Sequence, residues 1–103
     1  METLLELNRQ AKAVGLKTYI ATLTPRGASA GYKDWHEVER LALNEMIRES
    51  TAFDGILDFD VVTRDVDNPE LFDEPCDSGD HLHPGSVGGR RMAMEAYKVL
   101  TAK

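Results

Sequence analysis

The spacing of apolar residues predicts three amphipathic helices, over residues 2–14, over residues 35–50 and from Ser86 onward. In each helix, apolar side chains recur every three or four positions, as one face of a helix requires. The three stripes are Leu4, Leu7, Ala11 and Val14; Val38, Leu41, Ala42, Met46 and Ile47; and Met92, Ala93, Ala96, Tyr97 and Leu100. Asp34 and Glu37 match a capping box at the start of the second helix, and Ser86 is the expected N-cap of the third.

Two short segments have the composition of β-strands. Residues 17–23 are rich in β-branched and aromatic side chains, and residues 55–62 form a second such run. Asp58 and Asp60 interrupt the second run, so we expect them to point out of the core or to lie near the strand end. The intervening helix predicts a parallel pair joined by a crossover connection.

The predicted order is α-β-α-β-loop-α, which is an α/β fold. A sheet of two strands is narrow for three helices and leaves two unpaired edges. We therefore expect the sheet to be completed by a partner or by a further segment of chain.

Composition and charge restrict the class of protein. With 103 residues, 42% hydrophobic and 29% charged, the chain fits one small folded domain. Its net charge of -6 argues against a nucleic-acid partner or an anionic membrane surface. The acidity is concentrated in residues 54–80, which hold ten acids and one base, and we expect most of these acids to be solvated. The sequence contains no apolar run long enough for a transmembrane segment, and nothing in it indicates a compartment.

The densest polar cluster lies in residues 76–85, just after the second predicted strand. Active sites of open α/β sheets gather beyond the carboxyl ends of strands, so this is a favourable position. Asp80 is spaced to orient His83 as a general base.

A metal site is a second interpretation of this cluster, since several of its side chains are possible zinc ligands, although their spacing matches no known motif. Those side chains are Cys76, Asp77, Asp80, His81 and His83. In a third interpretation, the cluster is a polar surface loop whose histidines only form hydrogen bonds.

The run Gly-Asp-His-Leu-His-Pro at residues 79–84, followed by a small-residue turn and a helix with Met92 and Ala93, resembles the last sequence block of the SGNH (GDSL-type) hydrolases. Upstream segments resemble the C-terminal half of that family in the same order, at residues 13–16, 22–25, 44–48 and 54–60. The resemblance therefore covers nearly the whole chain. The turn at residues 85–89 departs from many relatives, because Gly89 stands where they have an aromatic residue.

The resemblance implies a serine ester hydrolase with a three-layer α/β/α, flavodoxin-like fold. Residues 1–103 would be the C-terminal part of a single SGNH domain, with His83 as general base and Asp80 as its orienting partner. The implied substrate is an ester of a small molecule, an acylated sugar or a lipid, and no cofactor or metal is implied. The family's nucleophilic serine and oxyanion residues lie in an N-terminal half, upstream of the first helix here. We therefore expect this chain alone to be inactive.

Residues 27–31 also match the G-x-S-x-G pattern of a nucleophile elbow, with Ser29 as the candidate nucleophile. An elbow requires a strand that turns directly into a helix. Here Pro25 and Arg26 follow the predicted strand, and the next helix begins only near Asp34. We therefore expect a flexible loop of small residues.

A function of another class is also compatible with the sequence. In that alternative, the chain is a non-catalytic α/β binding module. It would self-associate through its exposed strand edge, and its acidic loop would bind a cationic partner.

Overall fold

Four α-helices and two short strands form the chain in the computed structural model, which describes residues 1–102. The elements are α1 (Glu2–Ala13), β1 (Tyr19–Ala21), α2 (Asp34–Glu49), β2 (Gly55–Leu57), α3 (Phe59–Thr63) and α4 (Ser86–Leu100), with a 3₁₀ turn at Glu74–Cys76. The predicted mixed α/β class is thus confirmed. Among the described residues, no helix has both the length and the apolar character needed to cross a bilayer.

The two strands pair in parallel, as predicted, with Ile20 opposite Ile56. Just after β1, the Thr22 N–H donates to the Leu57 carbonyl at 3.0 Å, so the backbone groups of Thr22 face β2. Backbone groups alternate in direction along a strand. Those of Tyr19 and Ala21 therefore point away from β2, toward an edge that no other strand of residues 1–102 covers.

The predicted second strand is wrong beyond Leu57, because residues 59–63 form α3. Asp58 is the N-cap of this helix, and its Oδ1 accepts a hydrogen bond from the Val61 N–H at 3.2 Å. The side chain that interrupted the strand pattern is thus a helix-start signal. Asp60 lies near the strand end, as expected, but it is fully buried.

Helix α2 turns a different face inward from the one predicted. Val38 is 68% exposed, and Leu41 and Met46 are exposed as well. Of the predicted stripe, only Ile47 is fully buried, and its inward-facing neighbours are the polar residues Arg40 and Asn44. Asn44 explains this rotation, because its side chain accepts from the Leu23 N–H at 2.8 Å and donates to the Leu23 carbonyl at 3.0 Å. The helix thus satisfies both backbone groups of a residue just beyond β1.

The predicted capping box at the start of α2 is also wrong. Lys33 is the N-cap, and its N–H donates to Nδ1 of His36 at 2.8 Å. Asp34 is the first helical residue, and Glu37 accepts hydrogen bonds from Arg40. The sequence pattern assigned the Glu37 carboxylate to the cap, but this carboxylate instead pairs with the buried guanidinium of Arg40.

Helix α4 packs against β2 and α3. A Cβ on Gly55 would lie 2.8 Å from Val99 Cγ1, so the close approach of α4 to β2 requires a glycine there. Tyr97 and Leu100, predicted to face the core, are 72% and 53% exposed. Gly85, not Ser86, is the N-cap of α4, and Ser86 is its first helical residue.

Candidate functional site

The loop between the 3₁₀ turn and α4, residues 77–84, is fixed at its base by backbone hydrogen bonds. The Gly85 N–H donates to the Cys76 carbonyl at 2.7 Å, and the Ser78 N–H donates to the His83 carbonyl at 3.1 Å. Within the loop, Gly79 and His81 have positive φ angles of 115° and 61°. A left-handed histidine is uncommon, so the surrounding contacts must hold it in place.

Asp80 and His83 form the predicted pair, with Oδ2 of Asp80 2.6 Å from Nδ1 of His83. An ionised carboxylate only accepts hydrogen bonds, so Nδ1 carries the proton and the neutral ring keeps its lone pair on Nε2. The other oxygen of Asp80 accepts from the N–H groups of His83 and Leu82, at 2.8 and 2.9 Å, and from the Ser78 hydroxyl at 3.0 Å. Contacts other than the ring therefore also hold the carboxylate in its orientation.

These contacts also set the charge of Asp80. The His83 ring, followed by the N–H groups of His83 and Leu82, holds the pKa of Asp80 well below its ordinary value. Asp80 is therefore ionised at neutral pH, while the side chain of His83 is 71% exposed. The pair presents an oriented, solvent-accessible base.

A second pair, Asp77 and His81, repeats the same geometry, with Oδ2 of Asp77 2.6 Å from Nδ1 of His81. Oδ1 of Asp77 accepts from the N–H groups of Gly79 and His81, at 2.8 and 3.0 Å. Burial opposes the charged form of Asp77, but these hydrogen bonds outweigh burial and keep its pKa below the ordinary value. The sequence patterns indicate Asp77 and His81 only as possible metal ligands or as polar residues of a surface loop. Their four-residue spacing is the signal that could have identified the pair.

The metal-site interpretation requires at least three ligands to converge. Across residues 1–102, no group of three or more His, Cys, Asp or Glu side chains is arranged to hold a metal ion. Cys76 is fully buried, and burial raises the pKa of its thiol. The two carboxylates of the loop each bind a histidine ring through Oδ2.

Gly88 fixes the loop against the start of α4. A Cβ at Gly88 would lie 2.7 Å from the carbonyl oxygen of Cys76 and 2.9 Å from Pro84. At the neighbouring Gly89, a Cβ would meet nothing within 4 Å. The glycine required for packing is therefore Gly88.

An ionic cluster centred on the buried Asp60 lies beyond the carboxyl ends of both strands, and no sequence pattern predicts it. Asp60 accepts from the guanidinium groups of Arg40 at 2.6 Å, Arg64 at 2.8 Å and Arg48 at 2.9 Å. Arg40 also binds Glu37, and Arg48 also binds Asp58. Three cations thus face three carboxylates, so the cluster is electrically neutral.

Of the ten acids of residues 54–80, only Asp60 is buried and the others keep contact with solvent, but most of the ten also have partners within the chain. The side-chain pairs are Asp54 with Lys12, Asp58 and Asp60 with arginines, Asp73 with Arg91, and Asp77 and Asp80 with histidines. Asp65 caps a turn by accepting from the N–H groups of Asp67 and Asn68. Most acids of this segment therefore bind other parts of the chain or cap a turn.

Ser29 lies in a turn, where it is buried and its hydroxyl accepts a hydrogen bond from Arg26 Nε at 3.4 Å. The chain leaves β1 at Ala21 and enters α2 only at Asp34. No strand turns directly into a helix at this point, so the G-x-S-x-G match lacks the elbow geometry.

A cavity of about 350 Å³ lies beside the histidine loop. Leu82, which stands between His81 and His83 in sequence, forms part of its wall. The remaining wall comes from the segment after β1 and from the first half of α2, including Leu23, Arg26, His36, Glu39 and Leu43.

Neither the scan against known protein families nor the search of curated proteins finds a match for this chain.

Proposed function

We propose that this chain supplies the general base and its orienting carboxylate to a serine ester hydrolase of the SGNH (GDSL) type. The observation that carries the proposal is the Asp80–His83 pair, in which the carboxylate fixes both the ring and its tautomer at 2.6 Å. The parallel β1–β2 pair, with the loop following β2, is compatible with the proposed three-layer α/β/α fold. In this proposal, residues 1–103 are the C-terminal part of one SGNH domain.

The roles follow from the chemistry of the pair. His83 Nε2 accepts the proton of the nucleophilic hydroxyl as that oxygen attacks the ester carbonyl, and it then returns the proton to the leaving alcohol. Asp80 stays ionised throughout and stabilises the imidazolium that forms between the two steps. The lowered pKa of Asp80 suits this role, because the carboxylate keeps its charge.

The nucleophile and oxyanion donors belong, in this proposal, to a segment outside residues 1–103. Ser29 lacks the elbow geometry, and the Ser78 hydroxyl is donated to Asp80. The ester substrate is a small molecule, an acylated sugar or a lipid, and the reaction needs no cofactor.

Exposed apolar surface supports the need for a covering segment. Val38, Leu41 and Met46 are exposed along α2, and Met94 and Tyr97 are exposed along α4. The outer edge of β1 also carries unpaired backbone groups. A sheet strand beside β1, with helices against these faces, would bury this surface.

The decisive experiment extends the coding sequence upstream of Met1. We expect it to encode a strand that ends in Gly-Asp-Ser and, later, a Gly-x-Asn-Asp segment. The extended protein should hydrolyse aryl acetates, and His83→Ala should lower kcat/KM by about ten-thousand-fold. Ser29→Ala is the control and should leave the rate unchanged.

Two results would overturn the proposal. One is an upstream reading frame without the serine block. The other is stoichiometric labelling of residues 1–103 alone by a fluorophosphonate probe, because labelling requires an activated serine within this chain. If Ser29→Ala abolished that labelling, Ser29 would be the nucleophile after all.

The exposed β1 edge also favours a second candidate function, a module that self-associates. Light scattering coupled to gel filtration measures this directly. A stable oligomer that is lost in Ala21→Pro would favour the module, since proline removes an N–H that faces the free edge but not the β1–β2 ladder. A monomer would exclude self-association as the role of this edge.

A further inference from the structure

Residues 78–83 have no packing to hold their shape, because every one of them is exposed. The backbone nevertheless turns sharply there, since Gly79 and His81 both have positive φ angles. Glycine adopts this conformation freely, whereas any other residue disfavours it by a factor of about 5–30. Hydrogen bonds must therefore hold the backbone of His81 in its left-handed conformation.

Asp77 accepts the hydrogen bonds that hold this turn. Its Oδ1 accepts from the N–H groups of Gly79 and His81, at 2.8 and 3.0 Å, and its Oδ2 accepts from Nδ1 of His81 at 2.6 Å. Asp77 itself lies at the fixed base of the loop, where its backbone pairs with that of Pro84. Its side chain is only 15% exposed. The Asp77 carboxylate therefore ties both residues of positive φ to the base of the loop.

The turn held in this way brings Asp80 and His83 together. Asp80 lies between Gly79 and His81, so the φ angles of these two neighbours set the direction of its side chain. In this direction, Oδ1 of Asp80 meets the N–H groups of Leu82 and His83, and Oδ2 meets the His83 ring. A negative φ at His81 would move residues 82 and 83 away from Asp80, and these hydrogen bonds would be lost.

We propose that Asp77 is a positioning residue that acts through Asp80 on the base His83. It does so by holding the left-handed turn at His81. This inference rests on the proposed hydrolase function, because His83 is a base only in that function. The orientation of the His83 ring, in contrast, needs only residues that this chain contains.

The test uses residues 1–103 and measures which ring nitrogen of His83 carries the proton. Long-range ¹H–¹⁵N spectra, recorded at a pH high enough that the rings are neutral, distinguish the two tautomers. His83 should be protonated mainly on Nδ1, as its bond to Asp80 requires. His36 is the internal reference of opposite tautomer, because its Nδ1 accepts from the Lys33 N–H and its proton is therefore on Nε2.

Asp77→Ala removes all three hydrogen bonds to the turn. It should lower the ratio of Nδ1–H to Nε2–H at His83 about five- to thirtyfold, the factor by which an unsupported left-handed residue is disfavoured. The double variant Asp77→Ala/His81→Gly should restore most of this ratio, because glycine adopts the turn without Asp77. A general loss of loop structure would not be repaired by removing a second side chain.

Asp77→Asn separates the backbone bonds from the ring bond. The amide oxygen can still accept from the N–H groups of Gly79 and His81, whereas the amide nitrogen donates and would oppose Nδ1–H of His81. We therefore expect the His81 proton to move to Nε2, while His83 keeps its proton on Nδ1.

Asp65→Ala is the matched control. Asp65 also accepts from two N–H groups of a turn, those of Asp67 and Asn68, but it lies outside residues 77–84. Its removal should leave the tautomer ratio of His83 unchanged.

Two results would overturn the inference: an unchanged ratio at His83 in Asp77→Ala, or a loss that His81→Gly does not repair. Neither depends on a nucleophile. In the extended protein, Asp77→Ala should lower kcat and leave KM unchanged, since Asp77 orients the base without binding the ester. An extended protein that hydrolyses esters equally well with Asp77→Ala would remove the role of Asp77 alone, whereas one that hydrolyses no ester would remove the hydrolase.

Discussion

Asp60 and Asp80 are the same residue type in two contrasting regions. Asp60 is fully buried and accepts its three side-chain hydrogen bonds from guanidinium groups. Asp80 is exposed and accepts from two backbone N–H groups, a hydroxyl and one imidazole. The side-chain partners of Asp60 are guanidinium groups, whereas the ring that Asp80 binds is an imidazole, the side chain that proteins use most often as a general base.

The contrast separates a structural anchor from the proposed reactive site. The Asp60 cluster ties α2, α3 and the strand ends together around a buried carboxylate, while Arg48 and Arg64 each reach the surface. The Asp80 pair lies on a loop whose base is fixed, and Nε2 of its ring is free for a substrate. Under the proposed function, a high density of charge therefore does not mark the functional site, whereas an oriented and reachable base does.

Removing the charge of each aspartate in turn should separate the two roles. Asp60→Asn leaves an unbalanced cation in the buried cluster and should lower the free energy of unfolding by about 3–5 kcal/mol. Asp80→Asn is the matched change at an exposed site and should shift the urea midpoint only slightly. Urea denaturation followed by circular dichroism measures both. Equal midpoint shifts in the two variants would contradict the assignment of Asp60 as the anchor.

The base of the histidine loop offers a second comparison, between adjacent glycines. Gly88→Ala places a methyl group 2.7 Å from the Cys76 carbonyl and should destabilise the chain by about 1–3 kcal/mol. Gly89→Ala adds the same methyl group in open space and should stabilise α4 by up to about 1 kcal/mol. Thermal unfolding of the two variants should therefore give shifts of opposite sign. Shifts of the same sign would mean that the contact with Cys76 does not fix the loop.

The sequence predicted the Asp80–His83 pair because both residues lie within one turn of chain. Within a turn, a three-residue separation lets a carboxylate reach an imidazole without help from distant parts of the chain. The Asp60 cluster could not be predicted in this way, since Arg40 and Asp60 are twenty residues apart and meet only when α2 packs over the strand ends.

The positions of α1, α2 and α4 could also be predicted, but α3 and the buried face of α2 could not. Periodicity identifies an apolar stripe without stating what covers it. In residues 1–102, Val38 and Met46 remain exposed, and Asn44 turns inward to bind the backbone of Leu23. The end of the second strand was mistaken because Phe59, Val61 and Val62 favour strands, whereas the cap formed by Asp58 starts a helix.

The smallest expected effect concerns the titration of Asp80 itself. Its pKa is lowered mainly by His83, so the pairing stabilises the folded loop above the ordinary aspartate pKa of about 3.9. That contribution is lost as pH falls through the lowered value, where the carboxylate gains a proton. In His83→Ala, the midpoint of the Asp80 carboxyl ¹³C shift should move up toward the ordinary value. The rise of the Asp80 midpoint should be incomplete, because the N–H groups of Leu82 and residue 83 still bind Oδ1.

His36→Gln is the control and should leave the Asp80 midpoint unchanged, since His36 binds the Lys33 N–H instead. An unchanged midpoint in His83→Ala would mean that the two side chains are not paired in solution.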